Sequence, residues 1–359
     1  MAKESFKETL KILAPGTLLR EGLENILRSK TGALIVIGDD DKVIAILDGG
    51  FPINCELTPT NLHELSKMDG AIILSSDTKK ILYANTQLVP DYHILSRETG
   101  IRHRAAERTA KQTDKPVICI SEKRATITLY SGEVKYVLGD TSLLLAKAGQ
   151  ALGTLEKYRA TFDEVINNLN VLEFEDLVTL SEVGMAIQRA QMVLKVKEEI
   201  EGYIIELGRE GRLVKMELEE LVSLVEEENE LIIKDYFNEK KQKVKTVIEE
   251  TKRLPLSGLL DLTTISGILG WEKMREALDT TLSPRGYRIL RRFSRPPLSL
   301  PSSVIDNLIR TFGNLPGVLQ ATLKELDKVE GIGKTRARTI SDGLKRMREQ
   351  TLLNRPILT

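Results

Sequence analysis

The chain has 359 residues, 41% of them hydrophobic and 29% charged, enough for roughly two or three domains with real cores. Lys+Arg and Asp+Glu number 52 each, which excludes nucleic-acid binding by bulk charge and leaves only local charge to do it. Two cysteines, Cys55 and Cys119, argue against a disulfide framework and fit a reducing cytosol; no run reaches the ~20 apolar residues of a membrane span, and the charged first ten residues lack the apolar core of a signal peptide.

Helical spacing runs through Phe6, Leu10 and Leu13, then Leu18, Leu19, Leu23, Ile26 and Leu27, and Pro15-Gly16 splits residues 5–29 into two helices. Residues 32–38, an apolar run between glycines, predict a buried strand. Asp39-Asp40-Asp41 reads as a turn and 43–47 as a second strand. Asp48-Gly49-Gly50-Phe51 reads either as plain turn chemistry or as a close ligand approach. A short helix over 61–67 delivers the chain to Asp69-Gly70-Ala71, where a carboxylate and a glycine enter a second buried strand; 81–86 forms the next.

Thr99 reads as the N-cap of a helix whose first turn carries Arg102, His103 and Arg104. Unpaired N–H groups and the positive end of the dipole meet two arginines there, the makings of a phosphate cradle; for Arg-X-Arg alone, a solvated basic helix start is the plainer alternative. Strands over 117–120, 126–130 and 134–138 complete an α/β domain with a mixed central sheet over residues 1–140. Asp69, Arg102, Arg104 and residues 121–124 all fall at element ends, where α/β folds build sites. His63, His93 and His103 do not cluster, which argues against a zinc site.

From 141 to about 252 strand-like runs vanish, and the pattern is that of an all-helical spine, acidic over 201–230, most of that charge a solvated face. Arg285, Arg288, Arg291, Arg292 and Arg295 give the following junction a basic edge, and Pro296-Pro297 marks a boundary, so the domains read as 1–140, 141–297 and 298–359. In the last, Glu330-Gly331-Ile332-Gly333-Lys334-Thr335-Arg336-Ala337-Arg338 places a tight hairpin between helical patterns. Its glycines let a phosphate approach backbone N–H groups, and Lys334, Arg336 and Arg338 supply charge. Phe312-Gly313-Asn314-Leu315-Pro316-Gly317 reads as a degenerate earlier copy. Residues 281–359 hold 15 Lys+Arg against 6 Asp+Glu, which favours phosphate-backbone binding over an ordinary turn.

The last string resembles the helix-hairpin-helix DNA-binding motif in tandem. Asp69-Gly70-Ala71 and Arg102-His103-Arg104 resemble the paired signature of diadenylate cyclase domains. In this order, with the spine between them, they resemble the bacterial DisA family over essentially the whole chain. The resemblance implies condensation of two ATP into cyclic di-AMP and pyrophosphate across a face-to-face pair of N-terminal domains. It implies Asp69, Arg102, His103 and Arg104 as catalytic residues, and Asp69 and His103 as contacts to Mg²⁺ or Mn²⁺. ATP would be held by Gly70, Ala71, Leu88, Thr99, Gly100, Ile101, Arg102, His103, Arg104, Ala105, Ser121, Glu122 and Arg124, and DNA by Gly331, Ile332, Gly333, Lys334, Arg336 and Arg338. It further implies a homo-octamer, cytoplasmic and nucleoid-associated, in which branched DNA such as a Holliday junction regulates the cyclase. The family often has Thr where this chain has Ile101 and Ala105, so two hydroxyls are missing beside the signature. A non-enzymatic ATP-binding sensor of DNA structure is the alternative; a helix-hairpin-helix nuclease or ligase accessory fits less well, since neither a carboxylate cluster nor a nucleotidyl-transfer lysine is evident.

Overall fold

The structure, a computed structural model, describes residues 2–294 and 299–353. The expected boundary at Pro296-Pro297, Arg295 and the module start at Leu298 lie outside the described residues. The chain forms two units: Met1–Gln150 with Ile200–Met216, and Ala151–Glu199 with Glu217–Thr359.

In the first unit α1 (Ala2–Ile12) and α2 (Leu18–Arg28) lead into β1 (Ala33–Ile37). Then come α3 (Asp41–Ile44), β2 (Leu47–Asp48), β3 (Phe51–Glu56), α4 (Pro59–Leu65), β4 (Ala71–Leu74) and β5 (Lys80–Leu88). The helix α5 (Ile101–Thr113) precedes β6 (Val117–Ser121), β7 (Thr126–Ser131) and β8 (Val134–Val137). The sheet order is β2-β5-β4-β1-β6-β7-β8, with β3 also paired to β5. β1 and β4 run parallel and every other pair antiparallel, a mixed sheet.

Both faces of that sheet are covered, which is why β1 reads as an unbroken apolar run. Ile35 and Ile37 pack with Leu23 and Ile26 of α2 and Leu62 of α4, while Leu34 and Val36 pack with Ala106 and Ala110 of α5. Each fully buried Leu or Ile contributes about 1.5–3 kcal/mol. The strand expected over 43–47 is not formed. The Asp40 carboxylate accepts the Val43 N–H at 3.2 Å and caps the one-turn helix α3, leaving only Leu47–Asp48 to pair with β5. Glu206, in the stretch read as solvated, is 5% exposed; it accepts hydrogen bonds from the Tyr136 hydroxyl at 2.6 Å and the Gly139 N–H at 2.7 Å.

The long helices α6 (Thr141–Glu175) and α7 (Leu180–Leu207), and α8 (Arg212–Leu221), contribute residues to both units. The second unit continues with α9 (Val225–Tyr236), α10 (Val244–Arg253), α11 (Leu256–Leu259), α12 (Leu262–Ile268) and α13 (Tyr287–Arg291). It ends with α14 (Ser302–Phe312), α15 (Leu315–Gln320), α16 (Leu323–Asp327) and α17 (Lys334–Leu353). Leu290, Val304, Leu308, Leu326, Ile340 and Leu344 share its core with Phe174 of α6.

Three of the junction arginines, Arg285, Arg288 and Arg291, are engaged within the unit and do not form the expected basic edge. Arg288 is wholly buried. Its guanidinium donates to Glu173, also wholly buried, and to Glu228 at 2.8 Å. Arg291 pairs with Glu227 at 2.6 Å, and Arg285 donates to the carbonyls of Lys234, Asp235 and Phe237. The Asp235 carboxylate accepts the N–H groups of Gly286, Tyr287 and Arg288 and so caps α13. Part of the acidic stretch thus neutralises the junction.

Candidate active site and nucleic-acid interface

Two glycine turns, packed on one residue of β5, build a cleft in the first unit. Gly70 has φ +87°, and a Cβ there would lie 2.8 Å from the Thr86 carbonyl oxygen; at Gly50, φ +86°, it would lie 2.3 Å from Thr86 Oγ1. Only glycine fits either position. Asp48, before the first turn, and Asp69, at the second, are thereby brought to the same cleft of about 660 Å³. Its other walls are Leu34 of β1, the end of β5 from Asn85 to Leu88, and Ile101, Arg102 and Ala105 of α5.

The helix start differs from expectation by one residue. Gly100, in extended backbone, is the N-cap and gives no side-chain bond, whereas the Thr99 carbonyl is taken by Arg104 Nη2 at 3.2 Å. The first-turn N–H groups of α5 therefore have no side-chain cap beside the cleft, the arrangement that suits an anion. Arg102 reaches across Gly32, where a Cβ would fall 1.8 Å from its Nη1. Gly32→Ala is expected to displace that guanidinium and cut turnover about 100-fold, while unfolding moves by about 1 kcal/mol, because the arginine tip is flexible and the Ile120 carbonyl oxygen, 3.2 Å from the new Cβ, has to give only slightly. Steady-state kinetics beside a thermal melt check this; unchanged turnover would detach Arg102 from the reaction.

Of the residues expected at the nucleotide, Asp69, Gly70, Ala71, Leu88, Ile101, Arg102 and Ala105 line the cleft. Thr99, Gly100, His103 and Arg104 belong to the same helix start but not to the cleft walls. His103 is turned to Tyr130, with Nδ1 at 3.0 Å from the hydroxyl. Ser121 ends β6, and Glu122 and Arg124 sit on the turn that follows, where Ser121 Oγ accepts the Arg124 N–H at 3.3 Å; none of the three lines the cleft. Asp48, Gly50 and Thr86 were not singled out as site residues; the doubled glycine after Asp48 was the available signal. Asp48 and Asp69 offer hard carboxylate oxygens, a donor set that suits Mg²⁺ or Mn²⁺ held together with substrate phosphates. Among the described residues no group of three or more His, Cys, Asp or Glu gathers as a metal cluster.

In the second unit the hairpin before α17 holds Gly331 at φ +86°, where a Cβ would lie 2.7 Å from Val304 of α14. The Ile332 side chain is buried and its N–H donates to the Val329 carbonyl at 2.9 Å, so that group does not point outward as expected. Gly331 and Gly333 are exposed, as are Lys334, Arg336 and Arg338; Arg336 Nη1 steadies the turn by donating to the Gly331 carbonyl at 2.8 Å. The earlier copy is differently occupied. There the Leu315 N–H donates to the Pro284 carbonyl at 2.9 Å and the Gly317 N–H to Asn314 Oδ1 at 2.9 Å. No Lys or Arg lies between 311 and 322.

Comparison with known proteins agrees along the chain. The family described as DisA bacterial checkpoint controller nucleotide-binding matches residues 20–134, and that described as DisA bacterial checkpoint controller linker region matches 138–278. The DNA integrity scanning protein DisA of Clostridium perfringens strain 13 is 53% identical over 352 residues, 98% of each chain. Its namesake in Carboxydothermus hydrogenoformans is 54% identical over 352 residues, 98% of this chain and 99% of that one. A solved structure of DacA from Staphylococcus aureus aligns at 21% identity over 37% of this chain and 88% of that one, with a TM-score of 0.29, a likeness too slight to draw on. No helix among the described residues is long and apolar enough to cross a membrane.

Proposed function

The chain belongs to the DisA family, and from that premise we propose that it condenses two ATP molecules into cyclic di-AMP with release of two pyrophosphates. What supports this most is the meeting of Asp69 and Arg102 in one cleft beside the uncapped start of α5. Each domain holds one ATP, and two domains face each other so that the 3′-hydroxyl of each nucleotide attacks the α-phosphate of the other in line. A P–O bond forms at the 3′ oxygen, the bond to pyrophosphate breaks, and the hydroxyl proton leaves to a base or to solvent. Because no covalent intermediate is needed, positioning and charge neutralisation carry the rate.

Asp69 orients or deprotonates the hydroxyl, or with Asp48 holds Mg²⁺ or Mn²⁺; the cation, when bound, neutralises phosphate charge. Arg102, Arg104 and the first N–H groups of α5 hold the phosphates. Gly70, Ala71 and Leu88 border the nucleotide, and Ser121, Glu122 and Arg124, outside the cleft walls, are further contacts to it. Ile101 is 86% exposed and brings no hydroxyl, so at that position phosphate is met by the backbone N–H alone. Residues 1–140 act as cyclase, 141–297 as spine and 298–359 as the nucleic-acid module, in a cytoplasmic, nucleoid-associated octamer.

Gly331, Gly333, Lys334, Arg336 and Arg338 grip the phosphate backbone without reading sequence, and a bound branched DNA lowers cyclase turnover through the spine. The test is to incubate the full chain with ATP and either metal, with and without a four-way junction, and resolve products by chromatography. Cyclic di-AMP that declines when the junction is added is expected. Folded protein that makes no product with either metal would favour a non-enzymatic sensor, and product indifferent to the junction would remove the coupling. Lys334→Ala is expected to weaken DNA binding several-fold and to reduce the slope of log K against log salt by about 1. An unchanged slope would place the phosphate contact elsewhere.

A further inference from the structure

Beside the hairpin of the second unit lies a cavity to which no role has been given. Leu326, Val329, Ile332, Ala337 and Ile340 turn into the core, and this fixes which residues of α16 and α17 stay outside. Lys324 and Asp327 of α16 and Lys334, Thr335, Arg338 and Thr339 of α17 line a cavity of about 480 Å³. Three cations there face one carboxylate, and among the described residues none of Lys324, Lys334 and Arg338 has an ion-pair partner. The Thr339 hydroxyl donates to the Thr335 carbonyl at 2.9 Å, which leaves the Thr335 hydroxyl as a neutral donor. Arg336 is not part of this wall; its guanidinium donates to the Gly331 carbonyl and belongs to the hairpin.

We infer that this cavity holds a second phosphodiester, next along the DNA strand gripped at Gly331 and Gly333, with Lys324 and Arg338 as its cationic contacts and Thr335 as a neutral one. The inference rests on the nucleic-acid reading of the hairpin and widens it. Lys334 follows Gly333 directly and also lines the cavity, so it stands between the two phosphates. Arg338 shares its face of α17, four residues on, or ~6 Å along the axis. That is more than the width of one phosphate group, so the positive charge runs on past the hairpin. Lys324 comes from a helix outside the hairpin and closes the opposite wall. Asp327 opposes a bound phosphate from within the same cavity, which gives the inference a second sign to test.

Fluorescence anisotropy of the full chain on a labelled four-way junction, taken over a salt series, reads both the affinity and the slope of log K against log salt. Lys324→Ala is expected to weaken binding several-fold and to lower the slope by as much as Lys334→Ala does. Lys324→Ala combined with Lys334→Ala lowers it about twice as far, because the two lysines meet different phosphates. Asp327→Asn removes the opposing charge and tightens binding. Lys328→Ala makes the same change in net charge at an exposed lysine outside the cavity and leaves affinity and slope nearly unchanged. Lys324, Lys328 and Lys334 are all exposed, so these variants keep the fold, which circular dichroism checks. The inference is overturned, with the hairpin reading intact, by Lys324→Ala that behaves like Lys328→Ala. The same follows from a double variant no different from Lys334→Ala, or from Asp327→Asn that binds no tighter. Wild-type protein that does not bind the junction would overturn the hairpin reading and this inference together.

Discussion

Asp69→Asn is expected to reduce cyclic di-AMP formation by ~10³-fold or more while ATP still binds. The amide keeps the size and shape of the carboxylate, so the turn at Gly70, fixed by its contact with the Thr86 backbone, stays in place. What is lost is the negative charge, and with it both the capacity to take the hydroxyl proton and a strong oxygen ligand for a divalent cation. The measurement is single-turnover product formation alongside calorimetric ATP binding. Activity regained at raised Mg²⁺ or Mn²⁺ would assign Asp69 to the metal; activity that stays lost would assign it to the hydroxyl. A fall of less than tenfold would remove Asp69 from the chemistry.

The second large effect concerns stability. Glu173 accepts from Arg288 Nε at 3.2 Å, from Arg288 Nη2, and from the Tyr236 hydroxyl at 2.8 Å, and both charged side chains are wholly buried. Glu173→Ala leaves a buried guanidinium with Glu228 alone and is expected to destabilise the protein by about 3–5 kcal/mol, lowering Tm by roughly 10 °C. Replacing both partners, Glu173→Leu with Arg288→Met, removes the orphaned charge and is expected to cost markedly less than Glu173→Ala. Circular dichroism melts of the three proteins decide it. A double variant no better than the single one would mean that the loss comes from packing and not from an unpaired charge.

Much of this was legible in the sequence, and the exceptions share a cause. β1 announces itself because both its faces are buried, so five consecutive apolar residues have no other home. The Asp69 and Arg102 motifs were visible because each is a short local string. Their cleft partner Asp48 was not, since the ambiguous Gly49-Gly50 turn gains its meaning only from Thr86, a neighbour supplied by strand pairing. The misread strand over 43–47 turned on one side chain, Asp40, which caps α3 in competition with a weak β pattern. Arg288 looked like surface charge because its two carboxylate partners lie 115 and 60 positions away. Local chemistry is written locally; charge neutralisation across the fold is not.

The two hairpins of the second unit are unequal. One has its N–H groups committed to Pro284 and Asn314 and lacks cations, so it serves as a strut. The other carries Lys334, Arg336 and Arg338. On the proposed function, each chain brings one such grip among its described residues, and one grip senses charge but not the angle between arms. A preference for junctions over linear duplex would then be a matter of avidity: several chains, spaced by their assembly, each seizing a different arm, with the effective concentration of the later grips set by the geometry of the DNA.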